Sequence, residues 1–190
     1  MDNREAEITR KTQETEVKLY LNLDGKGKSE INTNYPFLNH MLSLFCTHGF
    51  FDMRIVARGD IEVDYHHLVE DVGICLGEAV KKALGEKRGI KRYGYSFVPM
   101  DEVMVQIAID ISGRPLLIFN LSSQFELARE FFRGFSSQAG ITLHINLYYG
   151  EGFHHIMEAT FKAFALSLDE ATKIDKRREG IPSTKGRIEI

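Results

Sequence analysis

Residues 66–70 read HHLVE and residues 154–158 read HHIME. The two pentapeptides stand 88 residues apart, and each runs on into an amphipathic helical pattern in which Leu76, Val80 and Ala83 align with Phe164, Leu168 and Ala171. Upstream of the first, EVKLYLNLD (16–24) alternates apolar and polar side chains as a half-buried strand does, and ends in Gly25-Lys26-Gly27. EVMVQIAID (102–110) alternates in the same way and ends in Ser112-Gly113. Each is followed by a helical pattern, PFLNHMLSLF from Pro36 and ELAREFFRGF from Glu126, and then by a further strand pattern, MRIVA from Met53 and ITLHINLYY from Ile141. The chain therefore repeats itself once, as two strand-strand-helix-strand-helix units over 1–88 and 89–190, joined near the polar run 86–92. Each unit covers one sheet face with helices, which predicts an α+β two-layer sandwich in a single duplicated domain. The segment from Asp175 onward, polar and punctuated by Gly and Pro, reads as a surface loop.

Composition narrows the function. Among 190 residues, 24 basic and 27 acidic side chains leave a net charge of −3, so there is no broad basic field for nucleic acid and any anion site must be local. No run of 18 apolar residues occurs, and the opening MDNREAEITRKTQETE has no apolar core, so neither a signal peptide nor a membrane partner is expected and a cytoplasmic location is. Cys46 and Cys75 sit in apolar segments without zinc or disulfide spacing and read as buried, reduced thiols.

Seven histidines are present, four of them in the two doublets. On a helix, residues i and i+4 share a face, so His66 stands beside Glu70 and His154 beside Glu158, each pair able to chelate one ion. The second histidine of each doublet, His67 or His155, is turned by about 100° and faces a different ion or a different subunit. A lone doublet is more often a surface or capping feature, but two at equivalent repeat positions, each with Glu at i+4, favour a two-metal arrangement. The repeat adds His40 and its counterpart Glu130, since Leu42 matches Phe132 and Phe45 matches Phe135. The candidate ligands are thus His40, His66, His67, Glu70, Glu130, His154, His155 and Glu158. Imidazole and carboxylate without thiolate favour octahedral Mn or Fe over structural zinc. His144, in an alternating strand, and His48, before Gly49, are weaker candidates.

A second constellation suits an anion. IPSTKG (181–186) presents Ser183, Thr184 and Lys185, and Arg92, Arg114 and Lys162, the last four residues beyond Glu158, are candidates to add charge to the same site.

Taken in order, RKTQETEV (10–17), LDGKG (23–27), FLNHML (37–42), HGFFD (48–52), GDIEVDYHHLVEDVG (59–73), KRGIKRYG (87–94), PMDE (99–102), DISGRP (110–115), HHIMEATFKAF (154–164) and PSTKG (182–186) resemble the imidazoleglycerol-phosphate dehydratase family over nearly the whole chain. The resemblance implies a duplicated fold like that of ribosomal protein S5 domain 2, two Mn2+ ions per active site lying between subunits, and trimers assembling into a shell of twenty-four. It implies a hydro-lyase of histidine biosynthesis that converts imidazole glycerol phosphate to imidazole acetol phosphate through a metal-bound imidazolate and carboxylate acid/base catalysis. It also implies Glu14 as the acid/base residue, Arg92, Arg114, Lys162, Ser183, Thr184 and Lys185 as substrate-binding residues, and no fused phosphatase half. The chain departs from the family pattern at Asn39, Leu68 and Gly152, and at Glu130, where a ligand histidine is expected. Two alternatives stand beside this reading: a metal-binding paralogue without turnover, and a di-metal phosphohydrolase.

Overall fold

The computed structural model describes residues 3–188. In the first unit β1 (Glu5–Lys11), β2 (Thr15–Asn22), β3 (Ser29–Asn32) and β4 (Asp52–Gly59) form a sheet of order β1-β2-β4-β3, accompanied by α1 (Pro36–Gly49) and α2 (His66–Leu84). The second unit repeats it with β5 (Tyr93–Met100), β6 (Val103–Asp110), β7 (Leu116–Asn120), β8 (Thr142–Tyr149), α3 (Glu126–Ala139) and α4 (Phe153–Thr172), in the order β5-β6-β8-β7. Strand pairing stays within each unit, so the duplication is carried by the topology itself.

Each unit holds one more strand than the sequence pattern indicates: it runs β-β-β-α-β-α. The additional strands, β3 and β7, pair in parallel with β4 and β8 at a sheet edge. SEIN and LLIFN are four and five residues long and show no clean inward-outward alternation, so hydrophobic period does not reveal them. Their parallel pairing needs a crossover, which α1 and α3 supply.

The long strands behave as their patterns require. Val17, Leu19 and Leu21 of β2 and Val103, Val105, Ile107 and Ile109 of β6 are buried toward the helices, while Tyr95 and Phe97 of β5 face outward. Pro36 opens α1, where its fixed φ suits the first turn and its missing N–H is no loss. Gly140, at φ 66°, closes α3 in the left-handed conformation, with its N–H donating to the Ser136 carbonyl. Cys46 and Cys75 are free and buried, and burial pushes both thiols up to about 12.

The units meet helix layer to helix layer, α2 on α3 and α1 on α4. Phe45 stacks on Phe164 at 5.1 Å, and Phe132 and Phe135 meet the same ring edge-on at 5.2 and 4.8 Å. The α2/α3 crossing is closer: Gly73 and Gly77 lie against the carbonyl oxygens of Phe131 and Phe135, and a Cβ on Gly134 would stand 2.9 Å from the Glu70 carbonyl oxygen. Both histidine doublets open the second helix of their unit and so lie beside these crossings. The segment after α4 folds back on the inter-unit linker, where Ile174 bridges Ile90 and the Gly89 N–H donates to the Gly180 carbonyl at 2.8 Å.

Gly73→Ala drives a methyl into the Phe131 carbonyl. It is expected to destabilise the chain by about 1–3 kcal/mol, the usual range for overpacking, read as a lowered midpoint in chemical denaturation.

Candidate metal and anion sites

His40 on α1 and His154 on α4 converge on one carboxylate oxygen. Their Nε2 atoms lie 2.9 and 3.0 Å from Glu158 Oε1, and the two rings stack at 5.6 Å. The Lys162 ammonium donates to the other oxygen of Glu158 at 2.7 Å. Lys162 first, then His40 and His154, hold the Glu158 carboxyl down to about 2, so it is ionised throughout the neutral range. Two imidazole nitrogens and one carboxylate oxygen within 4.8 Å of one another form a chelating set.

The pseudo-equivalent set uses α2 and α3. His66 Nε2 lies 3.8 Å from Glu70 Oε2, and Glu130 projects from α3 with 5% of its surface exposed. The Arg133 guanidinium sits between the acids, 3.1 Å from Glu70 Oε1 and against Glu130 Oε2. Glu130 Oε2 is nevertheless buried without a well-formed hydrogen bond. A buried carboxylate oxygen is costly unless a cation stands beside it, and Arg133 is that cation here. The repeat equivalence of His40 and Glu130 thus has a geometric counterpart: each set joins a doublet helix of one unit to the first helix of the other. Among the described residues two groups draw three ligand atoms within 4.8 Å, the His40 set and Asp101, Glu102 and His155; His66, Glu70 and Glu130 do not form such a cluster.

His67 and His155 point elsewhere, their rings nearly perpendicular to those of His66 and His154, at 86° and 75°. His67 Nδ1 lies 3.1 Å from both oxygens of Asp60 and 3.9 Å from Glu14 Oε2. His155 Nδ1 lies 2.9 Å from Glu102 Oε2, with Asp101 3.9 Å from its other nitrogen. The Asp60 and Glu102 carboxylates raise the two imidazole pKa values. A carboxylate on Nδ1–H fixes the tautomer and leaves the Nε2 lone pair for a ligand. Glu14 and Glu102 occupy the tips of the β1–β2 and β5–β6 hairpins, so each outward histidine meets the hairpin tip of its own unit.

The cationic pocket lies elsewhere on the chain. Arg92, Arg114, Ser183, Thr184 and Lys185 line it together with Ser112 and Arg187. Most of the Arg92 guanidinium is engaged: Nε and Nη2 donate to Asp110 at 2.7 and 3.2 Å, and Nη1 donates to the Pro182 carbonyl at 2.9 Å. Arg92 thereby anchors the loop that carries Ser183 to Lys185. Arg114 is exposed beside it, 3.8 Å from Asp110. Lys162 is not in this pocket; helical i,i+4 spacing places it on Glu158 instead. None of the eight candidate metal ligands lines the pocket.

Sequence reasoning assigned no role to Asp60, Asp101, Glu102, Ser112 or Arg187. Asp60 and Glu102 fall within GDIEVDYHH and PMDE, but their proximity to a histidine depends on tertiary packing. Arg187, two positions past Lys185, was visible as a second cation behind the PSTKG loop.

A family model described as imidazoleglycerol-phosphate dehydratase matches residues 33–168. The imidazoleglycerol-phosphate dehydratase of Citrifermentans bemidjiense is 53% identical over 193 residues, covering 97% of this chain and 99% of that protein. The one from Acetivibrio thermocellus is 53% identical, covering 98% of this chain and all of that protein. Among solved structures, imidazoleglycerol-phosphate dehydratases of Staphylococcus aureus and Pyrococcus furiosus, each 37% identical, superpose with TM-scores of 0.80 and 0.81. The alignments cover 90% and 94% of this chain and 99% of each of those. A duplicated α+β chain with these relatives is a hydro-lyase by class. It belongs to the imidazoleglycerol-phosphate dehydratase family.

Replacing Glu102 with Gln removes the charge that favours the His155 imidazolium. The His155 pKa should then fall toward that of a free imidazole, measured by NMR titration of the metal-free protein, with His67 unmoved as the internal control.

Proposed function

We propose that this protein removes water from imidazole glycerol phosphate to give imidazole acetol phosphate, in histidine biosynthesis, using two Mn2+ ions per active site. Beside family membership, the observation that carries the reading is the convergence of His40 and His154 on Glu158 Oε1. The donor chemistry fits such an ion: imidazoles and carboxylates, with no thiolate among the candidate ligands. His40, His154 and Glu158 would hold one ion, and His66, Glu70 and Glu130 another. His67 and His155, turned outward on carboxylate-held Nδ1 atoms, would complete sites shared with neighbouring subunits, in trimers that build a shell of twenty-four. The free, buried thiols accord with a reducing cytoplasm.

When bound, the ions supply Lewis-acid stabilisation of charge on the substrate's imidazole ring. The remaining tasks fall to side chains. The proton to be removed lies on a hydroxyl-bearing carbon without a carbonyl neighbour, and hydroxide leaves from the adjacent carbon attached to the ring. Glu14, exposed at its hairpin tip beside His67, takes that proton. The enol that forms relaxes to the ketone. Arg114, Lys185, Ser183 and Thr184 hold the phosphate, and Arg92 keeps their loop in place. Fixing both ends of the substrate lowers the barrier by several kcal/mol.

The Arg133 guanidinium between Glu70 and Glu130 gives weight to a second reading, a metal-binding protein without turnover. Incubating the Mn-loaded protein with imidazole glycerol phosphate separates the readings: ketone without free phosphate supports the dehydratase, phosphate release a phosphohydrolase, and metal without product the inactive paralogue. Glu14→Gln should keep its manganese and lose roughly 10²- to 10⁴-fold in rate. Glu130→Ala should lower manganese stoichiometry, and Glu130→His should retain it; unchanged stoichiometry in the alanine variant would remove Glu130 from the ligand set.

A further inference from the structure

The hairpin tip that bears Glu14 is built unlike its counterpart in the second unit. Within the tip, the Thr12 N–H donates to the Thr15 carbonyl at 2.9 Å, and Thr12 Oγ1 accepts from the N–H groups of Glu14 and Thr15 at 3.1 and 2.9 Å. Thr15 is buried, and its hydroxyl donates to Asp71 Oδ2. Asp71 is itself buried, and its other oxygen accepts from Arg10 Nε at 2.8 Å. Asp71 follows Glu70 on α2 and lies one turn beyond His67, so the helix that carries the doublet also grips the tip. From the other side the Asp60 N–H donates to the Glu14 carbonyl at 3.1 Å, while the Asp60 carboxylate holds His67. The backbone around Glu14 is thereby tied on both sides, and its side chain remains 56% exposed.

Among the described residues the second unit has no such device. Its tip is the two-residue turn Asp101-Glu102, with Asp101 at φ 48°. The position equivalent to Asp71, one past Glu158, is Ala159, fully buried. A buried carboxylate is costly and often replaceable by apolar packing without loss of stability. At this repeat position the carboxylate occurs in the unit whose tip bears the proposed proton carrier, and an alanine in the other.

We propose that Asp71, acting through Thr15 and Arg10, is a positioning residue that sets Glu14 against the His67 ring for proton transfer. The proposal rests on the reading of Glu14 as the acid/base residue. A carboxylate displaced by about 1 Å from its productive position can cost on the order of 10²-fold in rate. Asp71, Thr15 and Arg10 are none of the proposed metal ligands or phosphate-binding residues, so their loss is expected to act on the chemical step rather than on binding.

The test uses the manganese-loaded full chain. Thr15→Val and Asp71→Asn are expected to lower kcat by about 10-fold or more, with KM for imidazole glycerol phosphate within about twofold of wild type and manganese content unchanged. Thr15→Ser, which keeps the hydroxyl, should return kcat to within about threefold of wild type. In the Glu14→Gln background, Thr15→Val should add less than about a twofold further loss, because the clamp works through Glu14. Losses that multiply in the double variant, a raised KM in place of a lowered kcat, or wild-type kcat in both clamp variants would overturn the proposal. Should Thr15→Val fail to fold, Arg10→Gln at the more exposed end of the clamp makes the same comparison, and an unchanged kcat there overturns it. Wild-type turnover by Glu14→Gln would defeat the acid/base reading and the clamp with it. An inactive Glu14→Gln beside fully active clamp variants would defeat the clamp alone.

Discussion

The contact between α2 and α3 leaves no room for side chains at its centre: Gly73 and Gly77 face the carbonyl oxygens of Phe131 and Phe135, and Gly134 faces that of Glu70. So close a crossing brings Glu130 of one unit beside Glu70 of the other, two carboxylates facing across a helix pair. The equivalent positions on α4 are Phe161 and Ala165, and the α1/α4 contact is filled by aromatic rings, with Phe45 on Phe164. There the first-helix residue is His40, and its imidazole stacks on His154 rather than opposing a second acid. Duplication supplies two sets of candidate ligands, and the difference in what fills the two crossings makes them chemically unequal.

That inequality explains why one set converges on a point and the other surrounds a guanidinium. Two imidazoles and one carboxylate carry little mutual repulsion and can close on a shared oxygen. Two carboxylates brought together require a cation between them, and Arg133 is one turn from Glu130. The doublets themselves follow from helix geometry. A quarter-turn between adjacent residues sends His66 and His154 toward the crossings, and His67 and His155 toward the acids of their own sheets.

The parts of this arrangement legible in the sequence are those governed by short-range periodicity: the strands β2, β4, β6 and β8, the four helices, the duplication, and the i,i+4 pairing of histidine with glutamate. The alignment of His40 with Glu130 was also legible, because repeat position is a sequence property. What pairs with each was not. That His40 meets His154 of the other unit depends on how helix layers pack, which hydrophobic spacing does not encode. β3 and β7 were hidden because edge strands of four and five residues need no alternating pattern. The spacing of Lys162 from Glu158 is legible too, but the sequence does not say that the resulting ion pair holds its ammonium at the metal-candidate set, away from the anion pocket on this chain. Asp60, Glu102 and Asp71 look like ordinary solvated acids until the hairpin tips are seen folding against the helices.

Each candidate ligand set carries a cation of its own, Lys162 on Glu158 and Arg133 on Glu70 and Glu130. Glu158 is matched by one cation, whereas Glu70 and Glu130 share a single guanidinium and keep a net charge of −1 between them. Domains that fold only around a metal must find it while still disordered. Here every one of these acids has a cationic partner supplied by the chain, so the fold does not depend on a metal to hold them together.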